Sequence, residues 1–210
     1  TIHKLVNQYQ CKVKCLILGE GITSRDIFRD LKGRAEDLEL HQKNIIAAQK
    51  IIGYSELSTY DFPDNRFDTI PLLDFIKVIE KEKKVFSPEI IFTHHSGDLN
   101  IDHQITNKAV LTATRPLTNE TVKSIITFET FSATEWQPSN YPDIFRPNFF
   151  VEISEENLEA KKSAMECYFF ERRDFPHPRS SEGLEISAKK NGVIVGYNLA
   201  ESFCIIRFLC

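Results

Sequence analysis

Short apolar segments typical of strands alternate with amphipathic segments typical of helices along the chain. Residues 13–18 form an apolar, partly β-branched run that ends at Gly19, and residues 89–93 form a second run with an apolar centre. Between them, residues 35–52 place apolar side chains on one helical face. This alternation predicts an α/β fold: a three-layer, Rossmann-like, mostly parallel sheet with helices on both faces. Further strands are predicted at 125–131, 149–153 and 203–208, and further helices at 102–114, 155–171 and 181–190.

Local signals set the expected ends of several elements. Residues 60–66 carry Pro, Asp and Asn and are expected to form a loop. Thr69 is expected to cap the helix that follows it, with Pro71 in the first turn. Gly192 is expected to end the helix that begins at Ser181.

The order of the first two elements predicts a strand that the sequence does not contain. Apolar residues at positions 2, 5, 6 and 9 follow helical spacing, so the chain opens with a helix that leads into the strand at 13–18. A helix followed by a buried parallel strand is the second half of a βαβ unit. Without its neighbour, such a strand exposes unpaired backbone and apolar surface. We therefore expect a leading strand upstream of Thr1.

Length and charge limit the class of protein. A chain of 210 residues fits one domain, here residues 1–210, and 41% hydrophobic with 27% charged residues is a soluble globular balance. The formal net charge of −4 argues against a nucleic-acid partner, because phosphate binding needs clustered Lys and Arg. No apolar stretch approaches the roughly 20 residues that a membrane span needs. Five cysteines without tight spacing, Cys210 among them, are expected to be reduced thiols in a cytoplasmic protein.

Side chains that can bind a metal or take part in catalysis are concentrated between the strand at 89–93 and the helix that follows it. In an open α/β sheet, ligands bind at the carboxyl ends of strands, where helix N-termini also favour anions. Imidazole and carboxylate groups are ligands for Zn²⁺. Asp102 and His103 are adjacent and point about 100° apart on a helix, so we assign His103 to a metal and Asp102 to a place beside the chemistry. The segment reads THHSGDLNIDH and contains His94, His95, Asp98, Asn100, Asp102 and His103.

Structural explanations compete with each of these assignments. Asp98, Asn100 and Asp102 are all good N-cap residues and can serve only to start the helix. Arg25 ends a glycine-rich turn, GEGITSR, which is either a ligand loop or an ordinary turn. Arg179 lies in a proline-stiffened loop, FPHPRSSE, which either recognises a substrate or simply leads into a helix capped by Ser180 or Ser181.

The whole chain resembles the PIG-L/LmbE-type zinc-dependent N-deacetylases, in particular the members that act on amino sugars. The most specific segment is THHSGDLNIDHQITNKAVLTATRP at 93–116. Six other segments corroborate it in the same order: GEGITSR, FPDNRFDT, FETFSATEW, RPNFFVEIS, FPHPRS and GYNLAESF.

The resemblance implies a role for each candidate residue. His103 corresponds to a zinc ligand and Asp102 to the acidic residue that tunes the active site, while Asn100 stands where other branches often place a His that polarises the substrate carbonyl. The partner of the oxyanion therefore stays open between Asn100 and the two histidines His94 and His95. The residues expected to bind substrate are Arg25, His94, His95, Asp98 and Arg179.

One family motif has no counterpart in these residues. The family's other zinc ligands and its general base come from an early His-Pro-Asp-Asp-Glu-like motif, which does not occur in this sequence. The remaining Zn²⁺ ligands are therefore expected upstream of Thr1, in agreement with the missing strand.

Three functions follow from these observations. The first is zinc-dependent removal of an N-acetyl group from an amino sugar or glycoconjugate, by an enzyme that is expected to form a homo-oligomer. The second is a carbohydrate-binding homologue without a metal site. The third, a hydrolase with Thr1 as nucleophile, is disfavoured because Thr1 opens a helix rather than a strand facing a pocket.

Overall fold

The computed structural model describes residues 1–209, and Cys210 lies outside the described residues. Helices and strands alternate as the sequence predicts. The strands are β1 Lys14–Gly19, β2 Glu56–Phe62, β3 Ile90–His94, β4 Ser124–Phe128, β5 Phe149–Glu152 and β6 Ala200–Phe208. The helices are α1 Ile2–Asn7, α2 Ala35–Ile52, α3 Leu72–Phe86, α4 Ile101–Ala113, α5 Glu155–Glu166 and α6 Ser181–Val195. The pairs β1–β2 and β3–β4 are parallel, and the fold is the predicted α/β class with a mostly parallel core sheet.

The chain divides into two compact units. The first unit comprises residues 1–64 and 150–201, and it contains the parallel pair β1–β2. Helix α2 packs against α5, and α5 packs against α6. A buried apolar cluster forms its core because side chains from α5, α6 and the strand ends meet there: Ile153, Leu158, Ala188 and Leu199.

The second unit comprises residues 65–149 together with the segment from Ser202 to the end of the described chain. Strand β4 lies between β3 and β6, parallel to β3 and antiparallel to β6. Helix α4 packs against both α3 and β3. The rings of Phe67 and Phe75 stack with centroids 4.5 Å apart, and both are fully buried. This packing fixes α4 against the sheet edge from which the candidate site projects.

Strand β2 is the element that the sequence reading missed. The Pro, Asp and Asn after position 62 predict a loop over the whole of 60–66. In the structure, residues 56–62 instead pair with β1 along its length. From Thr59 to Phe62 the side chains alternate between exposed and half-buried, which is the period of a strand. The turn begins only at Pro63, after that alternation ends.

Three predicted helix boundaries are wrong, one of them the end of α5, which lies at Glu166 and not at residue 171. Helix α6 continues through Gly192 and ends at Gly196, whose φ of +80° is the left-handed conformation that glycine adopts without strain. A side chain at 192 would meet the backbone oxygen of Tyr197 at 2.5 Å, so Gly192 serves close packing and not helix termination. Thr69 closes a 3₁₀ turn at Phe67–Thr69, and the N-cap of α3 is Pro71.

The loop after β1 is anchored by a buried ion pair. Glu20 is 5% exposed, and its carboxylate accepts hydrogen bonds from Arg29 Nε at 2.8 Å and Nη2 at 2.5 Å. The Thr23 hydroxyl donates a third bond at 2.6 Å. Burial opposes ionisation of Glu20, but the bonds from Arg29 and Thr23 hold the pKa of this carboxyl below its ordinary value. Among the described residues, no helix is long and apolar enough to cross a membrane.

Candidate active site at the head of helix α4

The loop between β3 and α4 presents the candidate residues because it leaves the carboxyl end of one strand and enters a capped helix. Strand β3 ends at His94, and Asn100 is the N-cap of α4. The Asn100 side-chain oxygen accepts a hydrogen bond from the Asp102 amide at 2.8 Å. The side-chain oxygen of Asn100 therefore serves as the helix cap. Its Nδ2 group has no hydrogen-bond partner within residues 1–209.

Asp98 lies behind His103 and is fully buried. Its Oδ1 atom is 3.1 Å from His103 Nδ1 and accepts a bond from the Asn100 amide at 2.8 Å. Its Oδ2 atom accepts a bond from the Thr134 hydroxyl at 2.8 Å. Burial opposes ionisation here too, but His103 and these donors hold the pKa of Asp98 below its ordinary value. The carboxylate therefore lies against one nitrogen of the His103 ring at ion-pair distance, although Nδ1 makes no hydrogen bond of regular geometry within residues 1–209.

His94 supports the face of the same ring. The two imidazoles stack with centroids 4.2 Å apart and planes 10° apart, and Phe128 packs against His94 with centroids 5.0 Å apart. Burial, followed by the charge of His103, lowers the pKa of His94 to about 3. His94 is therefore neutral near pH 7. Together Asp98 and His94 fix the His103 ring, while Nε2 has no hydrogen-bond partner in the described part of the chain.

Asp102 holds a neighbouring turn in place. Its Oδ2 atom accepts a hydrogen bond from the Asn65 amide at 2.6 Å, and its Oδ1 atom accepts one from the Phe67 amide at 3.0 Å. The side chain is 7% exposed. Both carboxylate oxygens are thus engaged by backbone, which ties the head of α4 to residues 65–67.

His95 is buried beneath a loop. It is 5% exposed, its Nε2 atom is 3.1 Å from the Asp143 backbone oxygen, and Phe145 packs edge-on against its ring at 5.3 Å. Gly97 allows this loop to approach, because a Cβ at 97 would lie 1.7 Å from the Asp143 oxygen. The contacts of His95 are those of a residue that fixes the loop.

The two predicted substrate-binding arginines lie in the first unit and meet on one carboxylate. Arg25 Nη2 donates to one oxygen of Glu171, and Arg179 Nη1 donates to the other. Arg25 also donates to the Phe170 backbone oxygen at 2.7 Å. We call Arg25, Glu171 and Arg179 the two-arginine cluster.

The described residues do not provide a complete metal site. No group of three or more His, Cys, Asp or Glu side chains in this part of the chain is arranged to hold a metal ion. A catalytic zinc takes three protein ligands, and the sequence resemblance predicts His103 as one of them. A carboxylate near one ring nitrogen, as Asp98 lies near Nδ1 of His103, is also common around histidines that bind metals. The donor set of residues 1–209 alone does not fit zinc.

Sequence reasoning missed two residues of these clusters. Thr134 is the second partner of Asp98, but it lies 36 positions away, and a lone Thr carries no signal. Glu171 bridges two arginines from distant stretches, and it was placed at the end of a predicted helix that in fact stops at Glu166. Only the fold brings these residues to their partners.

A family model described as PIG-L, GlcNAc-PI de-N-acetylase, matches residues 1–114, which is more than half of the chain. The chain therefore belongs to the PIG-L family, as the sequence motifs predict. No curated protein matches the chain by sequence.

Solved structures confirm the fold at low sequence identity. A zinc-inhibited form of teicoplanin deacetylase is 15% identical with a TM-score of 0.73, and the match covers 98% of this chain and 91% of that one. N,N′-diacetylchitobiose deacetylase from Pyrococcus horikoshii is 16% identical with a TM-score of 0.69, covering 98% and 76%. The 4-carboxy-2-hydroxymuconate hydratase from Pseudomonas putida is 17% identical with a TM-score of 0.68, covering 100% and 89%. Since one fold serves hydrolysis and hydration, the reaction must be argued from the site.

Proposed function

We propose that this protein is an N-deacetylase that hydrolyses the N-acetyl group of an amino sugar or related glycoconjugate, releasing acetate and a free amine. Membership of the PIG-L family and the deacetylases among its structural neighbours support this reaction class. The observation that carries the proposal is the fixed His103 ring at the head of α4, with Asp98 on Nδ1 and His94 on its face. A ring held this way presents Nε2 as a preorganised ligand or proton carrier.

Zinc is part of the proposal, with His103 as one ligand. When bound, zinc lowers the pKa of its water and polarises the acetyl carbonyl. Since residues 1–209 do not complete a zinc site, no step of the mechanism is derived through the ion.

The chain's own residues prepare the site. We assign Asp98 as a positioning residue, since its buried carboxylate lies 3.1 Å from Nδ1 of His103 and would favour one tautomer and orientation of that ring. Asp102 acts beside the chemistry by holding the turn at 65–67 against the head of α4. The Nδ2 group of Asn100 is the donor that we assign to the substrate carbonyl oxygen, since its own oxygen is used by the cap.

A carbohydrate-binding homologue without catalysis is the second candidate. It is favoured by the absence of a three-ligand metal cluster among residues 1–209. It predicts affinity for an N-acetylated sugar with no acetate release.

Acetate release and bound zinc distinguish the candidates. Both are measured with N,N′-diacetylchitobiose for the chain itself and for a version extended by any coding sequence that precedes Thr1. The proposal expects the active form to lose acetate release in His103→Gln. The matched control is His3→Gln, because His3 lies on α1 and contacts Asn157 instead. Acetate release that survives in His103→Gln contradicts the assignment, and sugar binding without release in every form establishes the second candidate.

A further inference from the structure

The two-arginine cluster is a place where an anion would ordinarily bind. Each guanidinium donates to a different oxygen of the Glu171 carboxylate, so one carboxylate lies between two cations. The Arg25 guanidinium also lies 5.7 Å from the centre of the Phe170 ring, which holds it in place. The side chains of Arg25, Glu171 and Arg179 are 34%, 29% and 25% exposed, so solutes reach all three.

Unused donors remain beside this carboxylate. Arg179 Nε is buried and has no hydrogen-bond partner in the described part of the chain. Nearby His41 is 8% exposed, and its Nδ1 atom is likewise buried without a partner among residues 1–209. Burial lowers the pKa of His41, with Glu171, Asp64 and Arg25 as its charged neighbours, so this ring is neutral at pH 7. The cluster therefore combines strong donors with one internal anion, and His41 adds no further cation.

We infer that Glu171 sets the charge selectivity of this cluster, which takes an uncharged, hydroxyl-bearing group and excludes phosphate and carboxylate groups. A hydroxyl donates to Glu171 and accepts from an arginine at the same time, so it fits a mixed set of donors and acceptors. A phosphate competes for the same guanidinium groups and is repelled by the Glu171 carboxylate.

The internal carboxylate has a concentration advantage over a dissolved anion. A group tethered by a short stretch of chain acts at an effective concentration of roughly millimolar or more. An external anion of equal intrinsic affinity must therefore exceed this concentration before it displaces Glu171. Two bonds from two different arginines make the displacement harder, because both must be lost together.

This selectivity bears on the proposed function only through the prediction that Arg25 and Arg179 bind the substrate. If they do, the substrate presents a neutral hydroxyl group to them. Acetylated sugars that carry a phosphate or carboxylate at that position are then excluded.

Calorimetric titration with inorganic phosphate tests the selectivity without any measurement of deacetylation. Buffers are matched in ionic strength with chloride. We expect Glu171→Gln to bind phosphate at least about tenfold more tightly than the native chain, because two guanidinium groups lose their competing anion. The double variant Glu171→Gln with Arg179→Gln should lose this gain.

The matched control is Glu166→Gln, which removes the carboxylate of another Arg–Glu pair in the same stretch, 3.4 Å from Arg172. It should leave phosphate affinity unchanged. If Glu171→Gln does not fold, Glu171→Asp keeps the charge but shortens the reach to two arginines, and we expect a gain of about threefold.

Equal phosphate affinity in the native chain and in whichever Glu171 variant folds overturns the inference. So does a gain of equal size in Glu166→Gln. Because the readout is binding, a chain without deacetylase activity still gives a result. If the protein releases acetate but Glu171→Gln gains no phosphate affinity, only the role of Glu171 is contradicted.

Discussion

The Oδ1 atom of Asp98 lies 3.1 Å from the Nδ1 atom of His103, so a fully buried carboxylate faces one nitrogen of a half-buried imidazole. A carboxylate that is ionised only accepts hydrogen bonds. We propose that this contact selects the tautomer with a proton on Nδ1, which leaves the Nε2 lone pair available when the ring is neutral. The chemistry proposed for His103 depends on this tautomer.

The tautomer is the first prediction. Two-dimensional NMR of the imidazole nitrogens should show His103 with its proton on Nδ1 in the native chain. Asp98→Asn offers an amide in place of the carboxylate and should increase the share of the Nε2–H form. Asp68→Asn, a change at an exposed carboxylate, is the control. A native His103 protonated on Nε2 would contradict the positioning role of Asp98.

Asp102→Asn should loosen the turn at 65–67. The amide that replaces the carboxylate accepts only through one oxygen, so one of the bonds from Asn65 and Phe67 is lost. We expect the free energy of unfolding to fall by about 1–3 kcal/mol, the usual cost of leaving a buried polar group unpaired. Urea denaturation measures this loss, and faster hydrogen exchange at the Phe67 amide locates it. Unchanged exchange at Phe67 would show that Asp102 does not hold the turn.

Gly97→Ala should be much more harmful than Gly196→Ala. The new methyl group at 97 would lie 1.7 Å from the Asp143 backbone oxygen, so the loop that covers His95 must move. At 196 nothing lies within 4 Å of an added Cβ, and only the positive φ opposes alanine. We expect losses in unfolding free energy of about 2–4 kcal/mol at 97 and about 1 kcal/mol at 196. Comparable losses at the two positions would contradict the close approach of the loop.

The Glu20–Arg29 pair predicts a pH-dependent part of the stability. The folded pKa of Glu20 lies below its ordinary value, so the unfolded state binds more protons in acid. Its contribution is complete above the unfolded pKa of about 4.3 and is lost as the pH falls through the folded pKa. Glu20→Gln should therefore cost about 1–2 kcal/mol at pH 7, because Arg29 is partly exposed, and progressively less below pH 4.

Denaturation across pH 3–7 measures the difference between Glu20→Gln and the native chain. The control is Glu39→Gln, because Glu39 forms an exposed pair with Lys43 on α2, where water screens the charges. A difference for Glu20→Gln that stays constant down to pH 3 would show that the Arg29 pair does not depress the Glu20 pKa.

The sequence predicts the parts of this molecule that depend on local pattern. The apolar run at 89–93 identifies β3, and the helix predicted at 102–114 matches α4 within one residue at each end, although Asp98, Asn100 and Asp102 were all candidates for its cap. Strand β2 is hard to predict because turn residues follow directly after Phe62 and the alternation before them is short. Local pattern therefore identifies the segment that carries His103, but not every neighbour that packs against it.

The contacts of individual side chains in the candidate site were harder to predict. Asp98 has the same local signature as a helix cap or a substrate ligand, and only Thr134 and His103 show which contacts it makes. The sequence also could not show that Arg25 and Arg179 share Glu171, since 154 positions separate the two arginines and no periodicity links them.

The surroundings of His103 are assembled from distant stretches of the second unit. The segment at 95–103 contacts the turn at 65–67, Thr134 and the loop at 143–145, whereas the family model matches only residues 1–114. A fragment cut at 114 would keep residues 93–114 yet lose Thr134, which contacts Asp98, and the loop at 143–145, which contacts His95. The signature segment therefore depends on contacts from outside it. Grafting 93–116 onto another scaffold would transfer the site residues without the packing that holds them rigid.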